Sequence, residues 1–421
     1  MSAHRWPILL GLLSLLLAPL LRAHSAPGSA LVLDFHTDRV GAQMRLPISE
    51  LELSFRQPLT AEPAAILDRH RAALADYVRA HLALRTPDGQ PWNVAVRDLS
   101  VALNEQPIDL VVNLTLTPPA GASPRRFTLH SDVISHEVMN HFTVVAVRSD
   151  WNHAQLGGEP VVIGVLRPFA HDLTVDRTAG SAWSGFRSVL TLGVRHIADG
   201  TDHLLFLIVL LLPAPLLTSR RRWGPYGGLR HSVIGLLKIV TAFTLGHSLT
   251  LFLGAVGWLR LPAQPVEVLI AFSIFVSAVH AFRPIFPGRE ALVAAGFGLV
   301  HGLAFATVLT EFQLDAWHLA AALLAFNVGI ELMQLCVVVL TVPWLVLLSR
   351  SAAYAPIRIA GAIFAAAAAL GWIAERALGW PNPLNTVVAT LAAHALWLVA
   401  GLAVLTLLAR IWPRRDSAAK I

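Results

Sequence analysis

Within eight residues, His196-Ile-Ala-Asp199-Gly-Thr-Asp202-His203, the chain places two histidines and two aspartates directly before the apolar run Leu204 to Leu212. A carboxylate near the middle of a bilayer costs about 2.5–3.5 kcal/mol on insertion, and each Leu, Ile, Phe or Val offsets only about 0.3–0.6 kcal/mol. Two aspartates therefore cancel most of what this apolar run contributes. The segment must face a bundle interior or a water-filled cavity, and ionisable residues in such a place mark a functional site.

Composition sets the class around it. Of 421 residues, 55% are hydrophobic and 14% charged, whereas a soluble globule carries about 25% charged residues. The polar residues are concentrated between 24 and about 180, and apolar runs begin near Val189. The expected fold is a polytopic α-helical membrane bundle preceded by a mainly β, α+β extracytoplasmic domain. The domain reading is 1–23 signal peptide, 24–180 exported domain, 185–412 membrane domain and 413–421 cytoplasmic tail.

The basic start through Arg5, the apolar stretch Ile8 to Leu21 and Ala23 have the form of a secretory signal; an uncleaved anchor helix is the alternative. In the exported part, residues 30–60 alternate as strands do, and residues 62–84 have helical spacing with Pro63 in the first turn. Strand-like segments follow near 93–103, 109–117, 125–131, 142–149 and 161–167, and residues 172–184 read as a linker. The single cysteine, Cys336, lies in an apolar run, so this domain relies on its own core.

Seven apolar spans are expected, at about 187–212, 233–257, 264–282, 290–311, 316–345, 357–376 and 386–409, each long enough for a hydrocarbon core of roughly 30 Å. With the first domain outside, the inside loops hold Arg220, Arg221, Arg222, Arg230, Arg283, Arg289, Arg350 and Arg358, and the outside loops only Arg260 and Arg376. That bias fits a bacterial-type inner (plasma) membrane protein with a cytoplasmic C-terminus. The net charge of +6 reflects these topological arginines and does not point to nucleic acid; the lipid bilayer is the implied partner.

On one continuous helix of 3.6 residues per turn, His196, Asp199 and His203 share a face about 60° wide, with Asp202 beside it. Imidazole and carboxylate together suit divalent first-row metals such as nickel, cobalt or zinc. The competing reading is a polar patch joining helices through buried His–Asp pairs. The second span adds His247 and Ser248, the fourth His301, and the fifth Asn327, Glu331 and Gln334 at helical spacing. Their depths overlap, so one convergent site is geometrically open, although Gly298-x3-Gly302 and the polar triplet could serve packing alone. Glu267, His280 and His394 are lesser candidates.

In the exported part, His136-Glu137-x3-His141 is one residue too long for the His-Glu-x2-His zinc-protease pattern, because i, i+5 histidines diverge on a helix. An auxiliary metal site using His136 and His141 stays open, and cleavage after Ala23 would give His24 a free amine beside its imidazole. The two lysines, Lys238 and Lys420, lie outside any phosphate-binding loop, so transport would be secondary, facilitated or partner-driven.

The sequences from His196 to His203, Thr241-Ala-Phe-Thr-Leu-Gly-His247-Ser-Leu-Thr, Gly298-Leu-Val-His301-Gly and Phe326-Asn-Val-Gly-Ile-Glu331 resemble the HupE/UreJ family of hydrogenase and urease accessory membrane proteins. The likeness covers residues 185–345 and suggests the larger branch, with an exported domain. It implies nickel handling, His196, Asp202 and His203 as the best carried-over site, and nickel-enzyme maturation proteins as partners. The leading expectation is a divalent-metal permease with no catalytic residue. The alternatives are an intramembrane zinc hydrolase, with Ser248 or Asp202 handling protons, and a metal sensor or assembly factor working through the exported domain.

Overall fold

The computed structural model describes residues 28–411 apart from 220, 260 and 313. The expected signal peptide, His24, Arg220, Arg260 and the cytoplasmic tail lie outside the described residues. The chain divides into two compact units, one comprising residues up to Arg148 with Glu159–Thr178, the other Ser149–Gly158 with residues from Ala179 onward.

The first unit is mainly sheet. Strands β1 (Ser29–Phe35), β2 (Val40–Pro47), β4 (Asn93–Val101), β5 (Asp109–Thr117), β7 (Thr143–Asp150) and β8 (Gln155–Leu166) form a sheet of order β4-β5-β2-β1-β7-β8. Strands β3 (Leu82–Arg85), β6 (Arg126–Ser131) and β9 (Asp172–Asp176) form a second, ordered β3-β6-β9. Period-2 alternation fixes the register: Leu31 lies opposite Met44 and Met44 opposite Val112, so one face of three strands is apolar throughout. That face shares a core with Phe127, Leu129 and Val175 of the second sheet.

Two helices complete this core. Helix α1 (Ile48–Phe55) contributes Ile48 and Leu51, and α2 (Ile66–Ala80) contributes Leu74 and Val78. The sequence pattern suggested one helix, over 62–84. Helix α1 begins directly after Pro47, where residue alternation gives way to helical spacing, and the end of the expected helix is strand β3. The expected linker contains strand β9, held by pairs such as Phe127–Val175.

The second unit is helical: α3 (Ala182–Asp199), α4 (Thr201–Leu211), α5 (Leu229–Ala255), α6 (Ala263–Phe282), α7 (Glu290–Glu311), α8 (Ala316–Leu348), α9 (Tyr354–Leu378), α10 (Asn385–Ala393) and α11 (Ala395–Ile411), with a hairpin of β10 (Leu216–Ser219) and β11 (Arg222–Tyr226) between α4 and α5. Among the described residues, α5, α6, α8 and α9 are long and apolar enough to cross a membrane; α10 and α11, bent by 75°, would make a fifth span if counted together.

The helices thus give four or five such spans where the sequence suggested seven. The first expected span is broken at Gly200, whose extended backbone (φ −75°, ψ 94°) ends α3 and starts α4. The seventh is bent at His394, whose Nδ1 meets the Thr390 carbonyl at 2.8 Å. In the fourth, side chains are described only as far as Phe305, and the part from Glu290 to Phe305 alone is shorter than a span.

Glycines decide which helices touch. A Cβ on Gly193 of α3 would lie 2.2 Å from the Phe326 carbonyl oxygen, and one on Gly329 of α8 would lie 2.2 Å from that of Leu190. Gly246 of α5 and Gly298 and Gly302 of α7 meet the carbonyls of Ala295, Phe243 and His247 equally closely. Only residues without a side chain allow such backbone approach. These pairings carry His196, His247 and His301 into the interior.

Candidate metal site in the helical unit

Four histidines gather from four helices. His196 ends α3, His203 opens α4, His247 sits in α5 and His301 in α7. The His196 and His203 rings are 4.7 Å apart between centroids, His196 and His247 6.2 Å, and His203 and His301 4.9 Å. His247 is fully buried, and His301 and His203 nearly so.

Their hydrogen bonds are uneven. His203 Nδ1 lies 3.0 Å from Asp202 Oδ1, and its Nε2 lies 3.3 Å from His301 Nδ1. His301 Nε2 lies 2.9 Å from the Ser273 hydroxyl of α6. This chain runs Asp202–His203–His301–Ser273. By contrast His196 Nε2, both ring nitrogens of His247 and Asn327 Oδ1 are buried with no hydrogen-bond partner. A buried polar atom left in that state costs about 1–3 kcal/mol. Apolar rings bound the group: Phe305 and Phe326 stack on each other and both lie against His196, while Phe206 and Phe243 flank His301.

The two aspartates part company. Asp202 is half-buried and faces Arg376 of α9, with the guanidinium 3.5 Å from Oδ2. Asp199 is exposed. The shared face of His196, Asp199 and His203 assumed one continuous helix; the joint at Gly200 removes that assumption, yet still brings the two imidazoles together.

Of the other expected residues, Glu331 and Gln334 tie two helices together. Thr244 of α5 donates to Gln334 of α8 at 3.1 Å, and Thr241 donates to Glu331 at 3.4 Å. Asn327 donates to the Leu323 carbonyl, and Ser248 to that of Thr244. His280 stacks on Phe286 and accepts from the Ile285 backbone amide, and Glu267 is exposed. In the first unit, His141 is held between Ser29 and Glu50, whereas His136 packs against His81.

Sequence reading missed Ser273 and Arg376. Arg376 was read only as an outside-loop charge. Its position at the end of α9, beside the half-buried Asp202, is set by tertiary packing and leaves no local signature.

The comparison with curated proteins gives no match, and neither does that with solved structures. The family described as HupE / UreJ protein matches residues 171–376, a stretch that includes all four histidines, Asp202, Ser273 and Arg376. Over that region, which supplies the whole of the histidine cluster, the chain belongs to the HupE/UreJ family.

Proposed function

We propose that this protein is a divalent-metal permease of the inner membrane, with nickel as the favoured cargo, and that His196, His203, His247 and His301 form its intramembrane binding site. The observation that carries the reading is the set of buried ring nitrogens without partners, His196 Nε2 and both nitrogens of His247, beside the hydrogen-bonded pair His203–His301. Imidazole nitrogen suits nickel, cobalt and zinc. The HupE/UreJ family is associated with nickel or cobalt transport and with urease maturation, which supports metal handling over a purely structural polar patch.

The geometry also suggests how a cation would enter. His203 Nε2 and His301 Nδ1 lie 3.3 Å apart and share one hydrogen bond. Two nitrogens bound to one metal at about 2.0–2.1 Å with tetrahedral angles are about 3.3–3.4 Å apart. A cation would take the place of that shared hydrogen bond, and a proton on His301 Nδ1 would shift to Nε2, where the Ser273 hydroxyl, itself donating to the Ile270 carbonyl, can accept it. Asp202 offsets the positive charge, and Arg376 keeps that carboxylate from over-stabilising the bound state. The exported-domain orientation, the seven-span count and the cytoplasmic tail belong to the same proposal, with α3–α4 acting as one interrupted crossing.

Nickel uptake into cells tests it. His203→Ala should reduce cellular nickel accumulation at least tenfold at equal membrane abundance of the protein. Accumulation equal to wild type would overturn the permease reading. Purified protein that binds nickel through these histidines but does not move it across proteoliposomes would turn the site into a holding or catalytic one.

A further inference from the structure

The sheet unit holds a second histidine cluster, built from residues distant in sequence. His81 caps the C-terminus of α2, its amide bonded to the Tyr77 and Val78 carbonyls. Asp132 follows β6, and its amide donates to the His81 carbonyl at 3.2 Å, which ties the two chain segments together. His136 lies one turn further on, its amide donating to the Asp132 carbonyl.

The side chains converge. His81 Nδ1 is 2.9 Å from Asp132 Oδ1, and the His81 and His136 rings stack at 4.0 Å between centroids with 13° between planes. One ligand atom from each of the three residues lies within 4.8 Å of the other two. His136 Nδ1 also lies 3.0 Å from the Asp132 carbonyl oxygen. That contact requires Nδ1 to carry the proton, which leaves Nε2 as the lone-pair nitrogen, the usual device for presenting a histidine to a metal.

The turn that carries Asp132 and His136 is held at a cost. Ile134 has φ 66°, a left-handed conformation that is unfavourable for a β-branched residue. It is fully buried, and its amide donates to the Tyr77 hydroxyl at 3.1 Å. The same tyrosine ring lies against both His81 and His136. Strain of this kind persists only where the surroundings over-determine it. Here it fixes Asp132 and His136 beside a histidine from another part of the chain.

We propose that His81, Asp132 and His136 form a second metal site, one that captures a divalent first-row cation on the sheet unit and exchanges it readily. Two imidazoles and a carboxylate select nickel, zinc, cobalt or copper over magnesium and calcium. Three protein ligands leave coordination positions for water, which distinguishes an exchangeable site from a closed structural one. His81 and Asp132 are each about a quarter exposed, so solvent reaches the ligands. The site is independent of the helical cluster and stands or falls on its own.

The test uses the full-length protein in detergent, with nickel chloride and zinc chloride as probes and equilibrium dialysis as the readout. Wild type should bind one equivalent more than the double variant His81→Gln/His136→Gln, while His203→Ala keeps that equivalent. Loss of the equivalent in His203→Ala but not in the double variant would overturn this assignment and leave the helical site intact. A second measurement needs no variant: diethylpyrocarbonate modification of wild type, mapped by mass spectrometry. Zinc should slow modification of His81 and His136 at least fivefold and leave exposed His130 unaffected. Equal rates with and without zinc at His81 and His136 would also overturn it.

Discussion

His247 poses the sharpest question at the scale of single residues. It is fully buried, and neither ring nitrogen has a hydrogen-bond partner. A histidine that served packing alone would be improved by a phenyl ring, because replacing an unsatisfied polar group with an apolar one removes a desolvation cost of about 1–3 kcal/mol. His247→Phe should therefore leave the melting temperature of metal-free protein equal or higher, while the rise in melting temperature on adding nickel disappears. Thermal unfolding in detergent, with and without nickel, reads both. A nickel-induced rise that survives the substitution would remove His247 from the site. Much of this was legible in the sequence, since buried histidines in apolar runs are conspicuous. Ser273 was not: a serine in an apolar helix usually bonds its own backbone, as Ser273 does to Ile270, and only the fold shows that it also meets His301.

At the scale of elements, glycines set the helix spacing. A Cβ on Gly298 would meet the Phe243 carbonyl at 2.1 Å, whereas one on Gly296, two residues away, would meet nothing within 4 Å. Gly298→Ala should destabilise the bundle by about 1–3 kcal/mol through overpacking, and it should lower nickel binding because His247 and His301 ride on the two helices it separates. Gly296→Ala should be neutral or raise the melting temperature slightly. Similar melting temperatures for the two variants would show that α5 and α7 are not in backbone contact. In the sheet unit, the Glu52 carboxylate accepts from the Thr60 hydroxyl at 2.6 Å and from the amides of Leu59 and Thr60. The Thr60 hydroxyl, then the backbone amides, hold Glu52 below the ordinary glutamate range. A depressed carboxylate stabilises the folded state above its unfolded pKa, and that contribution is lost as pH falls through the folded value. Amide exchange at Leu59 and Thr60 should accelerate, relative to the neighbouring amides, as pH drops below about 4.5, and Glu52→Gln should abolish that pH dependence. Strand positions were readable because alternation is a local signal, as β5 shows. The division of the first span was also signalled, by Gly200 followed by Thr201 and Asp202, a helix stop and a helix start in succession. The apolar run beyond it concealed the break, because hydropathy averages over residues that backbone geometry separates.

For the whole molecule, the orientation proposed from the arginine bias has the sheet unit outside and the C-terminus inside. A cysteine introduced at Ser123, in a Cys336→Ala background, should react with a membrane-impermeant maleimide on intact spheroplasts, whereas one at Ser417 should react only after lysis. Labelling of Ser417→Cys without lysis would reverse the proposed orientation. Under the proposed function the two histidine clusters would have different tasks, collection at the sheet unit and passage through the helices. It also gives the joint at Gly200 a part in passage. A helix end carries about half a unit of charge, negative where carbonyls are exposed and positive where amides are. The end of α3 and the start of α4 meet beside the imidazoles, so the backbone offers a cation an electron-rich edge and holds the Asp202 carboxylate at an electron-poor one. Because His196 and His203 stand on opposite sides of a single extended residue, rotation about two bonds of Gly200 is enough to part them. The joint that shortens the first crossing can thereby act as its hinge, loosening the grip on the ion from within the backbone.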